Sequence, residues 1–172
     1  MKIERIMTRE VRSIGPEESL HTAARIMWEN DCGCLPVVDE DGRVLAMLTD
    51  RDVCMAAWSR NRPLAELPVR GTMSGHAVTC SPGDPPAAAQ RLMQEHQVRR
   101  LPVTDATGRL LGLLSLNDLA REAVHEHEHR HREVSEEEVA RTLAAVSRPH
   151  VCRLPALRSA AASPGRQLVA TV

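Results

Sequence analysis

The sequence predicts an α+β fold: two β-α-β-β-α repeats packed as a pseudo-two-fold unit, with a C-terminal helical extension. Three observations carry this. First, the chain matches itself without a gap at an offset of 66 residues, pairing Met7 with Met73, Pro16 with Pro82, Met27 with Met93, Pro36 with Pro102 and Asp52 with Asp118. Second, each copy alternates short apolar runs bounded by turn residues with stretches of helical period. Third, a three-stranded unit of this size exposes an apolar sheet face, which two copies bury by packing together.

In the first copy, residues 11–14 are extended and Gly15-Pro16 breaks the segment. A helix is predicted from about Ser19 to Asn30, because Leu20, Ala23, Ala24 and Met27 fall on one face. Residues 35–38 form a short buried strand, Asp39–Gly42 a hairpin turn and residues 43–48 the return strand. Thr49 then opens a helix to about Trp58. In the second copy, residues 78–80 are extended, and Asp84 is the expected cap of a helix with Pro85 at its first position. A second hairpin follows over 101–114 with Gly108 in its turn, and Ser115 opens a helix whose apolar stripe is Leu116, Leu119, Ala120 and Ala123. The expected division is repeat 1 over 1–60, a Pro-containing linker over 61–72, repeat 2 over 73–124, a helical extension over 125–148 and a tail over 149–172. Ser135 with Glu138 reads as a capping box for the extension's last helix. The Ala/Ser/Pro/Gly/Arg composition of the tail predicts disorder.

Composition narrows the function classes. The chain has 172 residues, 42% of them hydrophobic and 26% charged, with a net charge of −1, so electrostatic capture of nucleic acid or an anionic membrane is not expected. With two Trp and no Phe or Tyr, it lacks the platforms on which single-stranded nucleic acid stacks. The N-terminus shows no apolar signal region, and no apolar run is long enough to span a bilayer. The five cysteines are odd in number and lie in apolar surroundings; they read as reduced thiols of a cytoplasmic protein. Cys32 and Cys34 lack CxxC spacing and read as packing residues. No nucleophile–base pair, metal-ligand triad or Walker-type phosphate loop appears, so no enzymatic activity is expected.

Two stretches carry candidate chemistry: Thr49-Asp50-Arg51-Asp52 and Ser115-Leu116-Asn117-Asp118. Each sets a hydroxyl three residues before a carboxylate, at the point where a strand gives way to a helix. The plain reading is helix capping. The functional reading uses the same geometry. A helix N-terminus attracts phosphate, a hydroxyl donates to it, and a carboxylate accepts from both hydroxyls of a ribose. Arg99 and Arg100 add cationic donors beside the second pair, whereas the first copy has Gly33 and Cys34 at those positions. The two potential sites are therefore unequal, and the second is better equipped.

The repeats resemble cystathionine-β-synthase (CBS) domains through Leu35-Pro36-Val37-Val38-Asp39, Gly42 and Thr49-x-x-Asp52, and through Leu101-Pro102-Val103, Asp105, Gly108 and Ser115-x-x-Asp118. The resemblance implies a stand-alone regulatory pair that binds an adenosine nucleotide (AMP, ADP or ATP) between its repeats, requires no other cofactor and forms a homodimer. It acts through self-association or an unidentified protein effector. It implies that Asp52 and Asp118 hold ribose, that Thr49 and Ser115 face phosphate, and that backbone around Val37 and Val103 lines the adenine pocket. Arg51, Arg99, Arg100 and Asn117 complete the candidate ligand-binding set. Ala46 stands where the second copy has Gly112 and the family favours Gly, which implies a tighter first cleft. Two alternatives are a structural dimerisation module with vacant clefts and a zinc-binding protein that uses the i, i+4 pairs His125/His129 and His127/His131. Glu and Arg alternate with these histidines, which also suits a solvated helical face.

Overall fold

The computed structural model describes residues 1–129 and 133–148. Its elements run α1 (Leu20–Glu29), β1 (Cys34–Val38), β2 (Val44–Thr49), α2 (Asp50–Arg60), α3 (Pro86–His96), β3 (Arg100–Thr104), β4 (Leu110–Ser115), α4 (Leu116–His129) and α5 (Glu136–Val146). β1 pairs antiparallel with β2, and β3 with β4, in the same register displaced by one repeat. The expected first strand of each unit is reduced to a single parallel bridge, Ile14 to Val37 and Cys80 to Val103. Pro36 and Pro102 fit this arrangement. Each turns its nitrogen away from the hairpin partner, so no ladder bond is lost, and its carbonyl accepts from Ile14 N (3.0 Å) or Cys80 N (3.1 Å).

Gly42 and Gly108 turn the hairpins with φ of 79° and 83°. These turns also join the repeats: Val44 N donates to Gly108 O and Leu110 N to Gly42 O, both at 3.0 Å. The two bonds are exchanged by the 66-residue offset, so the pseudo-two-fold axis passes between Arg43 and Arg109.

The repeats exchange their leading segments. Ile3 and Met7 lie in the core built from the second repeat, with Leu101, Val103, Leu114 and Leu119. Val69 and Met73, one offset later, pack against the first repeat's core of Leu20, Leu35, Val37 and Leu48. The backbone bonds are reciprocal. Ile3 N donates to Asp84 O and Glu4 N to Pro82 O, both at 3.0 Å, while Val69 N donates to Glu18 O (2.8 Å) and Arg70 N to Pro16 O (2.9 Å). Part of the stretch expected as linker thus supplies Val69–Gly71, a short 3-10 turn matching the one at Ile3–Arg5.

Local expectations are met at most helix starts. Ser19 caps α1, and Ser135 with Glu138 forms the capping box of α5. Asp84 differs. Its carboxylate accepts from Ser81 N (2.8 Å) to close the preceding turn, and Pro85 takes the N-cap position with Pro86 opening α3. Two adjacent prolines move the start by one residue, because both hold the extended side of the boundary or the first helical φ without an N–H.

α5 packs on α3 and α4. Val134 and Val146 join the second core, and Gln94 Nε2 donates to Thr142 Oγ1 at 2.8 Å. Among the described residues α1 and α2 carry no equivalent of α5, and they expose Trp28 (88%) and Trp58 (77%).

Candidate ligand cleft between the repeats

Strand β4 positions the second hydroxyl–carboxylate pair. Its last residue, Ser115, leaves the sheet as α4 begins, so the hydroxyl and the Asp118 carboxylate meet in the first turn. Asp118 Oδ2 accepts from Ser115 N (2.7 Å) and Ser115 Oγ (2.5 Å), and Asp118 N donates back to Ser115 Oγ at 3.2 Å. The Asp118 side chain is only 5% exposed, and its other oxygen, Oδ1, accepts from Arg121 Nη2 one helical turn on. These donors, one of them a cation, satisfy a carboxylate that is largely out of water. Thr49 and Asp52 form the same capping box, with Thr49 Oγ1 donating to Asp52 Oδ2 at 2.7 Å, but Met55 stands where the second repeat has Arg121.

The exchanged N-terminal segment forms the opposite wall. Thr8 N donates to Leu113 O and Leu113 N to Thr8 O, both at 2.9 Å, which sets Arg9 to Arg12 against the mouth of α4. Gly112 permits this approach, because a Cβ there would lie 2.6 Å from Thr8 O. In the first repeat Ala46 occupies the position, and the contact is remade at longer reach. Met47 N donates to Ser74 Oγ (3.0 Å), a side-chain oxygen in place of the backbone carbonyl.

Between these walls lies a cavity of about 700 Å³ lined by both repeats. Its charged rim comprises Arg9, Arg12, Arg100 and Arg121 with Glu10, Asp31 and Asp118. Ser115 and Asn117 line it from the second repeat, and Cys32, Gly33 and Cys34 from the first. Cys34 and Arg100 occupy equivalent strand positions one offset apart. Burial pushes the Cys34 thiol pKa up, opposed in part by the Arg100 guanidinium. A second cavity of about 450 Å³ lies beyond Cys32 and Gly33, between α1 and α2, lined by Met27, Trp28, Val53 and Cys54.

The predicted site residues thus divide. Arg100, Ser115, Asn117 and Asp118 converge on the large cavity. Asp52 lines a smaller one of about 210 Å³ with Met55, Arg60 and Thr72, while Thr49 meets Asp52 in the capping box. Arg51 and Arg99 are exposed and line neither; Arg99 contributes its carbonyl, which accepts from Leu116 N at 2.9 Å. The Val37 and Val103 side chains are fully buried in their repeats' cores. Arg9, Arg12 and Arg121 were not predicted. The i, i+3 spacing of Asp118 and Arg121 was a readable signal for one of them, whereas nothing local shows that Arg9 and Arg12 cross to the second repeat. Among the histidines, His125 Nδ1 lies 3.9 Å from Glu122 Oε1. The side chains of His127, His129 and His131, like the tail 149–172, lie outside the described residues. Among the described residues no three His, Cys, Asp or Glu side chains group as metal ligands, and no helix is long and apolar enough to cross a membrane.

Comparison with known proteins places this architecture. The CBS domain family matches residues 3–59 and 66–125. The chain belongs to that family, as a tandem pair. It is 37% identical over 114 residues to the CBS domain-containing protein YhcV of Bacillus subtilis, covering 66% of this chain and 79% of that protein. It is 36% identical over 119 residues to hypoxic response protein 1 of Mycobacterium tuberculosis, covering 67% and 80%. The structure of Hypoxic Response Protein I with two coordinated zinc ions aligns with a TM-score of 0.64 at 30% identity, over 70% of this chain and 98% of that one. The CBS domain pair of MJ0100, in complex with 5-methylthioadenosine and S-adenosyl-L-methionine, aligns at TM-score 0.66 and 20% identity, over 73% and 98%. CBSX2 in complex with AMP aligns at 0.65 and 24%, over 73% and 98%. Homoserine O-acetyltransferase of Methanococcoides burtonii is 32% identical over 116 residues, 67% of this chain but 23% of the enzyme, so the similarity there is confined to a fraction of that enzyme.

Proposed function

We propose that this protein is a regulatory sensor of an adenosine nucleotide, bound at Ser115–Asp118 rather than at Thr49–Asp52. One observation carries the reading: a buried carboxylate and a helix-opening hydroxyl face a 700 Å³ cavity that also holds Arg100 and Arg121. Two of the structural neighbours were solved with adenosine compounds, which supports the same ligand class here. A ligand that touches Arg9–Arg12 from one wall and Asp118 from the other spans both repeats. It stabilises the arrangement in which the walls are close and so shifts a conformational equilibrium. The chain has no catalytic role in this reading. Its output passes to a protein effector in the cytoplasm or through self-association.

The test is a thermal-shift titration with AMP, ADP and ATP. At a hundredfold excess over Kd a ligand adds about 2.7 kcal/mol of stability, a rise of several degrees for a domain of this size. Asp118→Ala is expected to abolish the rise, and Asp52→Ala to leave it. No rise with any of the three at millimolar concentration overturns the reading.

Self-association has its own support. Trp28 and Trp58 are strongly exposed on α1 and α2, Trp28 at the position where Gln94 of the other repeat meets α5, and large exposed apolar side chains mark interaction surfaces. We assign α1 and α2 as the homodimer face.

A further inference from the structure

We infer that Arg121 is a specificity-determining residue that exchanges partners when ligand binds, and that it selects adenosine ligands carrying phosphate over those with a neutral or sulfonium tail. The inference rests on the adenosine reading of the cleft. In this structure the two groups that would hold phosphate are both given to Asp118. Arg121 Nη2 donates to Oδ1, and the hydroxyl of Ser115 donates its single proton to Oδ2. A ribose diol brings two O–H donors to the same carboxylate. Each can take the place of one internal donor, so the diol keeps Asp118 satisfied while releasing the Ser115 hydroxyl and the Arg121 guanidinium together. Both then stand at the helix N-terminus that favours an anion. The Arg121 side chain is 74% exposed, so it has room to swing while Asp118, at 5%, stays fixed. Arg100 on the neighbouring strand waits on the same cavity.

The arrangement couples the two halves of the ligand. The diol pays Asp118 for its lost ion pair, and a phosphate receives the freed cation. A ligand with diol but no phosphate breaks the ion pair and leaves Arg121 without an anion. The first repeat cannot do this: Met55 stands in place of Arg121, Gly75 in place of Arg9 and Val78 in place of Arg12.

The experiment is isothermal titration calorimetry of the full chain and of Arg121→Met and Arg121→Lys with adenosine, S-adenosylmethionine, AMP and ADP. In the unmodified protein AMP and ADP are expected to bind more tightly than adenosine or S-adenosylmethionine. Arg121→Met is expected to weaken AMP and ADP by about tenfold or more, the worth of a charged hydrogen bond, and to leave adenosine unchanged or tighter, since the diol no longer competes with an ion pair. Arg121→Lys, which keeps the charge on Asp118 neutralised, is expected to fall between. A uniform loss across all four compounds assigns Arg121 a structural role and overturns the exchange alone. So does unchanged AMP and ADP binding by Arg121→Met. Failure of all four compounds to bind the unmodified protein overturns the adenosine reading and the exchange with it.

Discussion

At Gly112 one methyl group decides whether the N-terminal segment can reach β4. A Cβ there would meet Thr8 O at 2.6 Å and Met7 Sδ at 3.0 Å, and the first of these is backbone with little freedom to yield. Gly112→Ala is expected to cost about 1–3 kcal/mol as overpacking strain, read by urea unfolding, and to lower the nucleotide response, because Arg9–Arg12 hang from the same contact. The glycine was visible in the sequence, but its reason was not: the close neighbour is a backbone atom more than a hundred residues away. Cys80 offers a second residue-scale test. Burial pushes its thiol from 9.0 up to about 12, with the Asp84 carboxylate adding to the rise. Above pH 9 the unfolded chain releases this proton and the folded chain keeps it, so stability contributed by the neutral thiol is complete below pH 9 and falls steadily towards pH 12. Urea midpoints at pH 8 and pH 10.5 are expected to show the decline, and Cys80→Ala to reduce it. The exposed Cys54 is expected to react with a thiol reagent in the native state while Cys80 is protected.

At the scale of elements, α5 makes the two halves different. Val134 and Val146 are buried through it, and burying a valine side chain is worth about 1.5–3 kcal/mol. Removing residues 133–172 is therefore expected to cost roughly 3–6 kcal/mol, seen as a lower urea midpoint, and to uncover α3 and α4. The capping box that opens α5 was legible, because it is a local signal. The helix's docking face was not, because amphipathic period tells which side of a helix is buried and is silent on the surface that buries it. The start of α3 shows the limit of local reading from the other side. Asp84 has the right chemistry for a cap, yet a turn one step earlier uses it first.

At the scale of the molecule, the two tryptophans are a probe of the proposed dimer face. Both lie exposed on α1 and α2, so association through that face is expected to shift their emission to shorter wavelength as concentration rises. Trp28→Gln combined with Trp58→Gln is expected to give a monomer by sedimentation, and a dimer that survives both changes would place the interface elsewhere. The repeat and its hairpins were readable because the residues that turn, cap and fill the core recur as identities. The exchange of leading segments was hidden, since Ile3-Glu4-Arg5 and Val69-Arg70-Gly71 match at no aligned position although they hold equivalent places. That exchange has a consequence for any attempt to divide the protein. A fragment ending near residue 66 would carry Ile3 and Met7 with no second repeat to receive them, and would lack Val69 and Met73 to close its own core. Two such fragments can each lend the missing piece to the other. A lone repeat is therefore expected to be recovered as an intertwined pair, in which the approximate symmetry of the intact chain becomes a true two-fold.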